Sequence, residues 1–240
     1  MGLLQTLLVV AVLAVVVYVI YTFFDKKSKL LSKCRSGTKS LTIPSKKLHG
    51  NKHTNNYAYS IWFYVSDWQH RLSESKDLIV RGGSAGSANP RITLAPYENN
   101  IQISIDTYPT QGAGHHLGSQ PTQSPTCSIN NFPLQRWVNL AISLNNRTLD
   151  TYLNGKLVRT CILPAPAKID PSAPVMLTPG GGFMGWTSNL QYFPGPLNPQ
   201  EAYNIYVQGP KCSGGSGFFS KYKLKLAYLV NNQEEASIEL

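Results

Sequence analysis

Charge is scarce in this chain of 240 residues. Only 14% are Asp, Glu, Lys or Arg, and the acids number 12 against 22 bases. With 42% hydrophobic and 10% aromatic residues the chain is no disordered polyelectrolyte and has material for a core. No C-x-x-C occurs, and no His stands at metal spacing from a cysteine, which argues against zinc. Gly180-Gly181-Gly182 is not followed by Lys-Ser/Thr and a helix, so it is no phosphate loop. The 19 Gly and 16 Pro imply many turns and argue against a helical bundle, leaving an all-β reading.

What charge there is gathers in one place. Residues 25–53 hold nine Lys or Arg and one acid, Asp25, while the rest of the chain is close to balanced. Just before that strip, Leu3 to Phe24 carries no charge at all. A run of that length spans a bilayer as a helix, and Leu3, Leu7, Val10, Leu13, Val17, Ile20 and Phe24 are its anchoring residues. A cleaved signal peptide fits less well, because no positive segment precedes the run and no small-residue cleavage site ends it. The basic flank places residues 25 onward on the cytoplasmic side. Lys26, Lys27, Lys29, Lys33 and Arg35 are the expected ligands for anionic headgroups. Nucleic acid is not an expected partner, since the strip has no interleaved aromatics. Met1-Gly2 to Thr6 loosely fits an N-myristoylation pattern, which an N-terminus facing away from the cytosol would not use.

The expected organisation is an anchor over 1–24, a basic tether over 25–56 and a sandwich over 57–240. Thr42-Ile43-Pro44 is the tether's one extended piece. Within 57–240, Tyr59–Val65, Ile101–Asp106 and Trp137–Leu144 read as strands by composition or alternation. Thr148–Leu153 and Lys156–Ile162 flank Asn154-Gly155, a hairpin signal. Tyr222–Val230 and Ala236–Leu240 read as a terminal hairpin around Asn231-Asn232. One short helix is expected from Asn198 to Tyr206, with Asn198 as cap and Pro199 in its first turn. Short strands with regular turns indicate an antiparallel β-sandwich or jelly roll.

Four cysteines, Cys34, Cys127, Cys161 and Cys212, permit two disulfides in three pairings, or four thiols in a reducing compartment. Cys127 and Cys161 border strand blocks and are candidates to meet across a sheet. Asn146-Arg147-Thr148 is a glycosylation sequon, usable only in a lumenal domain.

Three segments in order carry a family resemblance: Tyr59-Ser60-Ile61-Trp62-Phe63-Tyr64, Arg136-Trp137-Val138-Asn139-Leu140-Ala141-Ile142, and Leu149 to Val158. Gly185 to Phe193 and Leu197 to Ala202 extend it. Together they resemble the laminin-G-like branch of the concanavalin A-like lectin/glucanase superfamily, over about residues 57–210. The resemblance implies a concanavalin A-like jelly roll. Glucanase members carry an E-x-D-x-(x)-E strand; here Glu98 and Asp106 are isolated and Glu74 with Asp77 reads as loop, so hydrolysis is not expected. Calcium-binding members pair Asp or Asn with carbonyls. Asp106, Asp150 and Asp170 are unpaired in sequence and read as surface or turn carboxylates, so no cofactor is expected and calcium is the one ion to test. His115-His116 lies in a loop without a carboxylate partner. Of four tryptophans, Trp62 and Trp137 are assigned to the core, while Trp68 and Trp186 at strand ends are candidates for ligand contact.

An anchor, a basic strip and one lectin-like sandwich on the cytoplasmic side are together similar to laminin-G-like proteins of large icosahedral DNA viruses that carry a membrane beneath the capsid. That resemblance implies a non-enzymatic minor capsid protein whose partners are the bilayer and capsid or other structural proteins. The alternative is a membrane-anchored glycan-binding attachment module facing the other way.

Overall fold

The computed structural model describes residues 11–18, 29–48, 55–82, 88–109, 124–212, 225–230 and 233–239. Its strands in chain order are β1 (Lys29–Leu31), β2 (Arg35–Ser36), β3 (Leu41–Ile43), β4 (Tyr57–Asp67), β5 (Lys76–Gly82), β6 (Ala88–Leu94), β7 (Ile101–Ser104) and β8 (Thr126–Ile129). After these come β9 (Trp137–Asn145), β10 (Thr148–Leu153), β11 (Lys156–Ile162), β12 (Val175–Leu177), β13 (Met184–Phe193), helix α1 (Pro199–Val207), β14 (Lys225–Val230) and β15 (Gln233–Glu239).

Two antiparallel sheets result. Sheet A has the order β1-β13-β4-β9-β10-β11, with β2 also on β13; sheet B has the order β3-β12-β5-β6-β7-β8. β14 and β15 pair with each other in a separate hairpin. Strand alternation sorts the residues. Tyr57, Tyr59, Ile61, Phe63 and Val65 of β4 face inward, as do Val138, Leu140, Ile142 and Leu144 of β9. They meet Leu78, Ile79, Ile92, Leu94, Ile101 and Ile103 of sheet B in one core. Burying a large aliphatic or aromatic side chain contributes about 1.5–3 kcal/mol, so this core dominates the stability.

The tight hairpins arise from local chemistry. Asn154 and Gly155 both have positive φ, 51° and 74°, which a two-residue turn between β10 and β11 requires. At β13 the backbone comes so near β4 that a Cβ on Gly185 would lie 1.9 Å from the Tyr64 carbonyl oxygen.

The segment expected to be a tether is partly something else. β1 and β2 add to the edge of sheet A, and β3 to the edge of sheet B. These strands hold two or three residues each, too short for alternation to register, and the neighbouring strands supply the pairing. The sandwich thus begins at Lys29, not near Tyr57. Among the described residues no helix is long and apolar enough to cross a membrane. Residues 11–18 are helical with Leu13 and Val17 exposed; Leu3, Leu7, Val10, Ile20 and Phe24 lie outside the described residues.

Two cystines close the sandwich at both sides. Cys127 of β8 pairs with Cys161 of β11, joining the last strand of one sheet to the last strand of the other. Cys34, just before β2, pairs with Cys212, which comes after α1.

Candidate functional site

The outer face of sheet A divides into a covered and an open part. α1 lies over Ala58 and Ala141, with Leu197, Ile205 and Ala202 packed against them. Its N-terminus is closed by a capping box: Asn198 Oδ1 accepts from Glu201 N at 2.9 Å, and Glu201 Oε2 accepts from Asn198 N at 2.8 Å. Tyr206 stacks on Trp62 at 5.5 Å between centroids and 20° between planes. Trp62 is therefore buried beneath the helix, on the opposite side of the sheet from the inter-sheet core.

One row further along β4, beyond the helix, three aromatic residues stand side by side. Trp186 of β13 is in register with Tyr64 of β4, which is in register with Trp137 of β9. The Tyr64 and Trp137 rings lie 5.8 Å apart, tilted by 53°. Trp186 is 50% exposed and its two neighbours half-buried. Between the row and the Cys34–Cys212 cystine opens a cavity of about 490 Å³, lined by Cys34, Tyr64, Trp137, Trp186 and Cys212. Among the described residues the lining is mostly apolar, and the Tyr64 hydroxyl is its one side-chain hydrogen-bonding group beyond the indole N–H groups.

Basic residues lie along this edge of sheet A, with Lys29 in register with Gln191 of β13. Arg35 holds the local turn by donating to the Lys39 and Ser40 carbonyls, at 3.2 and 2.6 Å. Lys211, beside Cys212, donates its backbone N–H to Ser188 Oγ at 3.0 Å, two residues along β13 from Trp186. Lys29 is pushed down to about 8, first by burial and then by the nearby charge of Lys211. Lys33 is exposed, and Lys26 and Lys27 lie outside the described residues.

Of the sequence candidates, Trp186 belongs to this row and Trp68 does not. Trp68 packs on the core: its ring meets Phe132 edge-on at 5.8 Å, Lys76 Nζ sits 4.4 Å over it, and its Nε1 donates to the Tyr97 carbonyl at 3.2 Å. Trp137, expected in the core, lies instead on the outer face. Its opposite parity to inward-facing Val138, Leu140 and Ile142 is the signal available in the sequence, and the same parity against Phe63 and Val65 marks Tyr64. The pairing of Cys34 with Cys212 has no local signal.

The carboxylates are engaged in structure. Asp106, read as a surface or turn residue, is 5% exposed; its oxygens accept from Ala88 N at 2.7 Å and Ser124 Oγ at 2.5 Å. Asp77 lies in β5 rather than a loop and takes both Arg91 hydrogen bonds. Asp150 accepts from Thr160 Oγ1 and Asp170 from Ser172, whose hydrogen bonds hold the Asp170 carboxyl below its usual range. Glu74 pairs with Arg71, which also donates to the Gly180 carbonyl in the turn before β13. Glu98 accepts from Asn100. Among the described residues no cluster of three or more His, Cys, Asp or Glu could hold a metal ion; His115 and His116 lie outside them.

A laminin-G family model of the concanavalin A-like lectin/glucanases superfamily matches residues 35–215. No curated protein matches the chain in sequence. Among solved structures the chain is similar to the receptor binding domain of botulinum neurotoxin D, with 12% identity, a TM-score of 0.51, and coverage of 75% of this chain and 52% of that one. It is similar also to the receptor binding domain of the mosaic serotype C/D neurotoxin, with 12% identity, a TM-score of 0.51, and coverage of 75% and 51%. The chain spans about half the length of these structures, and at such identity the likeness is one of fold. The family match covers more than half of the chain and agrees with the two-sheet architecture: this lectin-like sandwich belongs to the concanavalin A-like lectin/glucanases superfamily.

Proposed function

We propose that the protein is a non-enzymatic, membrane-anchored structural protein that ties a bilayer to a protein layer, in the manner of a minor capsid protein above an internal virion membrane. The observation that carries this reading is the position of two sheet edges. The uncharged run 3–24 leads after four residues into β1, at one edge of sheet A. β11 forms the opposite edge, five strand spacings or about 24 Å away. There Leu157, Val158 and Ile162 are exposed, Ile162 at 77%. An edge strand that pairs on one side only among the described residues, and that carries apolar side chains, offers a protein partner both ladder hydrogen bonds and contact area. One edge is thus available to a shell while the other is held at the membrane. The basic flank, by the positive-inside bias, supports a sandwich on the cytoplasmic side.

Cross-linking through Lys156 of β11 tests the reading in assembled particles. Adducts to a shell protein, lost in Ile162→Asp, are expected; adducts to soluble factors only would count against it.

A second reading has its own support. Two cystines suit an oxidising environment, and the Asn146 sequon stands exposed on the turn between β9 and β10. Both favour a glycan-binding attachment module outside the cytosol, although virion surfaces are also oxidising. A glycosidase-sensitive gel shift that disappears in Asn146→Gln would select this reading and send the sandwich to a glycan array.

A further inference from the structure

The chain leaves little room between the uncharged run and the sandwich. Four residues, 25–28, separate Phe24 from Lys29. From Phe24 to Lys29 is five Cα steps, at most about 18 Å when fully extended, and a headgroup layer about 5–8 Å deep takes up part of that. On the anchored reading, the β1 edge of sheet A is therefore held within about 10–13 Å of the outer headgroup surface, close enough to rest on it.

The chemistry at that edge is that of a bilayer interface. No acidic residue occurs between 26 and 66. Lys33 is exposed, Lys29 and Lys211 half-buried. Trp186 lies on β13, whose other neighbour at this level is edge strand β2, with Trp186 opposite Ser36. The row then runs inward through Tyr64 to Trp137, and exposure falls from Trp186 to the half-buried pair. The Cys34–Cys212 cystine, with its Cα atoms 4.6 Å apart, ties the corner together. Tryptophan and tyrosine prefer the headgroup level, and lysines beside them meet lipid phosphates.

We propose that Trp186, backed by Tyr64 and Trp137, forms with Lys29, Lys33 and Lys211 a second membrane contact that seats this corner of sheet A in the headgroup layer of an anionic leaflet. This contact rests on the anchored reading. Lys29 and Lys211 lie close enough to interact, so the two bring positive charge together at this edge. A small polar ligand fits the cavity less well: such sites carry several convergent polar groups, and among the described residues this lining is three aromatic rings and a cystine. The contact also explains how an exposed tryptophan is kept from water without a protein partner, and it would hold β11 pointing away from the bilayer.

The test uses the full chain reconstituted in vesicles of phosphatidylcholine alone or with phosphatidylserine, each doped with headgroup-spin-labelled lipid. Alkaline extraction is run in parallel. The expected result is an alkali-resistant protein whose tryptophan quenching is stronger with phosphatidylserine and falls about twofold in Trp186→Phe, as interfacial placement of that ring requires. Trp68→Phe leaves the quenching unchanged, and Lys33→Glu with Lys211→Glu removes the phosphatidylserine dependence. Resistance to alkali without Trp186 quenching overturns the contact and leaves the anchor standing. Extraction by alkali overturns the anchored reading itself, and the contact with it.

Discussion

Tyr57 and Tyr59 leave β4 on the same inward face, with their rings 5.5 Å apart, yet their hydroxyls fare differently. Tyr57 donates to Asn89 Oδ1. The Tyr59 hydroxyl is buried beside the Arg81 guanidinium, and the two do not meet in hydrogen-bond geometry. Burial pushes both phenols well above their ordinary pKa, and Arg81 pulls only part of the way back. An unmade hydrogen bond in the interior costs about 1–3 kcal/mol, and a made one contributes about 1 kcal/mol net. Tyr59→Phe is therefore expected to leave stability unchanged or raise it by up to about 1 kcal/mol. Tyr57→Phe strands the Asn89 acceptor and is expected to lower stability by about 1–2 kcal/mol. The urea midpoints of the two variants check this; equal losses would mean that Tyr59 has a partner after all. Nothing local separates these two tyrosines in Tyr57-Ala58-Tyr59, because parity places both inward and only the facing sheet supplies Asn89.

At the scale of elements, α1 is the piece most nearly written in its own residues. Asn198, Pro199 and Glu201 supply the cap, the preset φ and the reciprocal hydrogen bond within four positions. Asn198→Ala is expected to cost about 1 kcal/mol and to weaken the near-ultraviolet circular dichroism of the Trp62–Tyr206 stack, because the helix is what holds Tyr206 there. A loss of stability with an unchanged aromatic signal would show the stack is held from elsewhere. The hairpin at Asn154-Gly155 is legible for the same reason: two positive-φ residues lie between alternating runs. β6 is not, since Pro90 breaks its pattern. β1, β2 and β3 are shorter still and take their conformation from β13 and β12, up to about 160 residues away in sequence.

For the whole molecule, the cystines are the constraints that join distant parts. Cys127 and Cys161 are 34 residues apart and bind the far edges of both sheets. Closing a loop of that size removes denatured-state entropy worth about 4 kcal/mol. Cys127→Ser with Cys161→Ser is expected to lower stability by up to that amount, seen as a fall in Tm. The fall should match that of the reduced wild-type protein in which only this pair has been opened. A double variant as stable as the parent would mean that the two edges are held by packing alone. The same change frees β11 from β8, so it should also loosen whatever partner the β11 edge holds.

The sequence by itself determined the sandwich class, the strands β4, β9, β10 and β11, the helix with its cap and the family. Those features depend on side-chain alternation, turn chemistry and capping, all acting within a few residues. Tertiary structure alone decided that the basic segment from Lys29 is sheet edge rather than tether, that Trp137 stands outside the core, and that Cys34 meets Cys212. It also decided that Trp186, Tyr64 and Trp137 form one row. Each of those depends on which strands become neighbours, and burial of the whole core, not any local preference, selects that pairing.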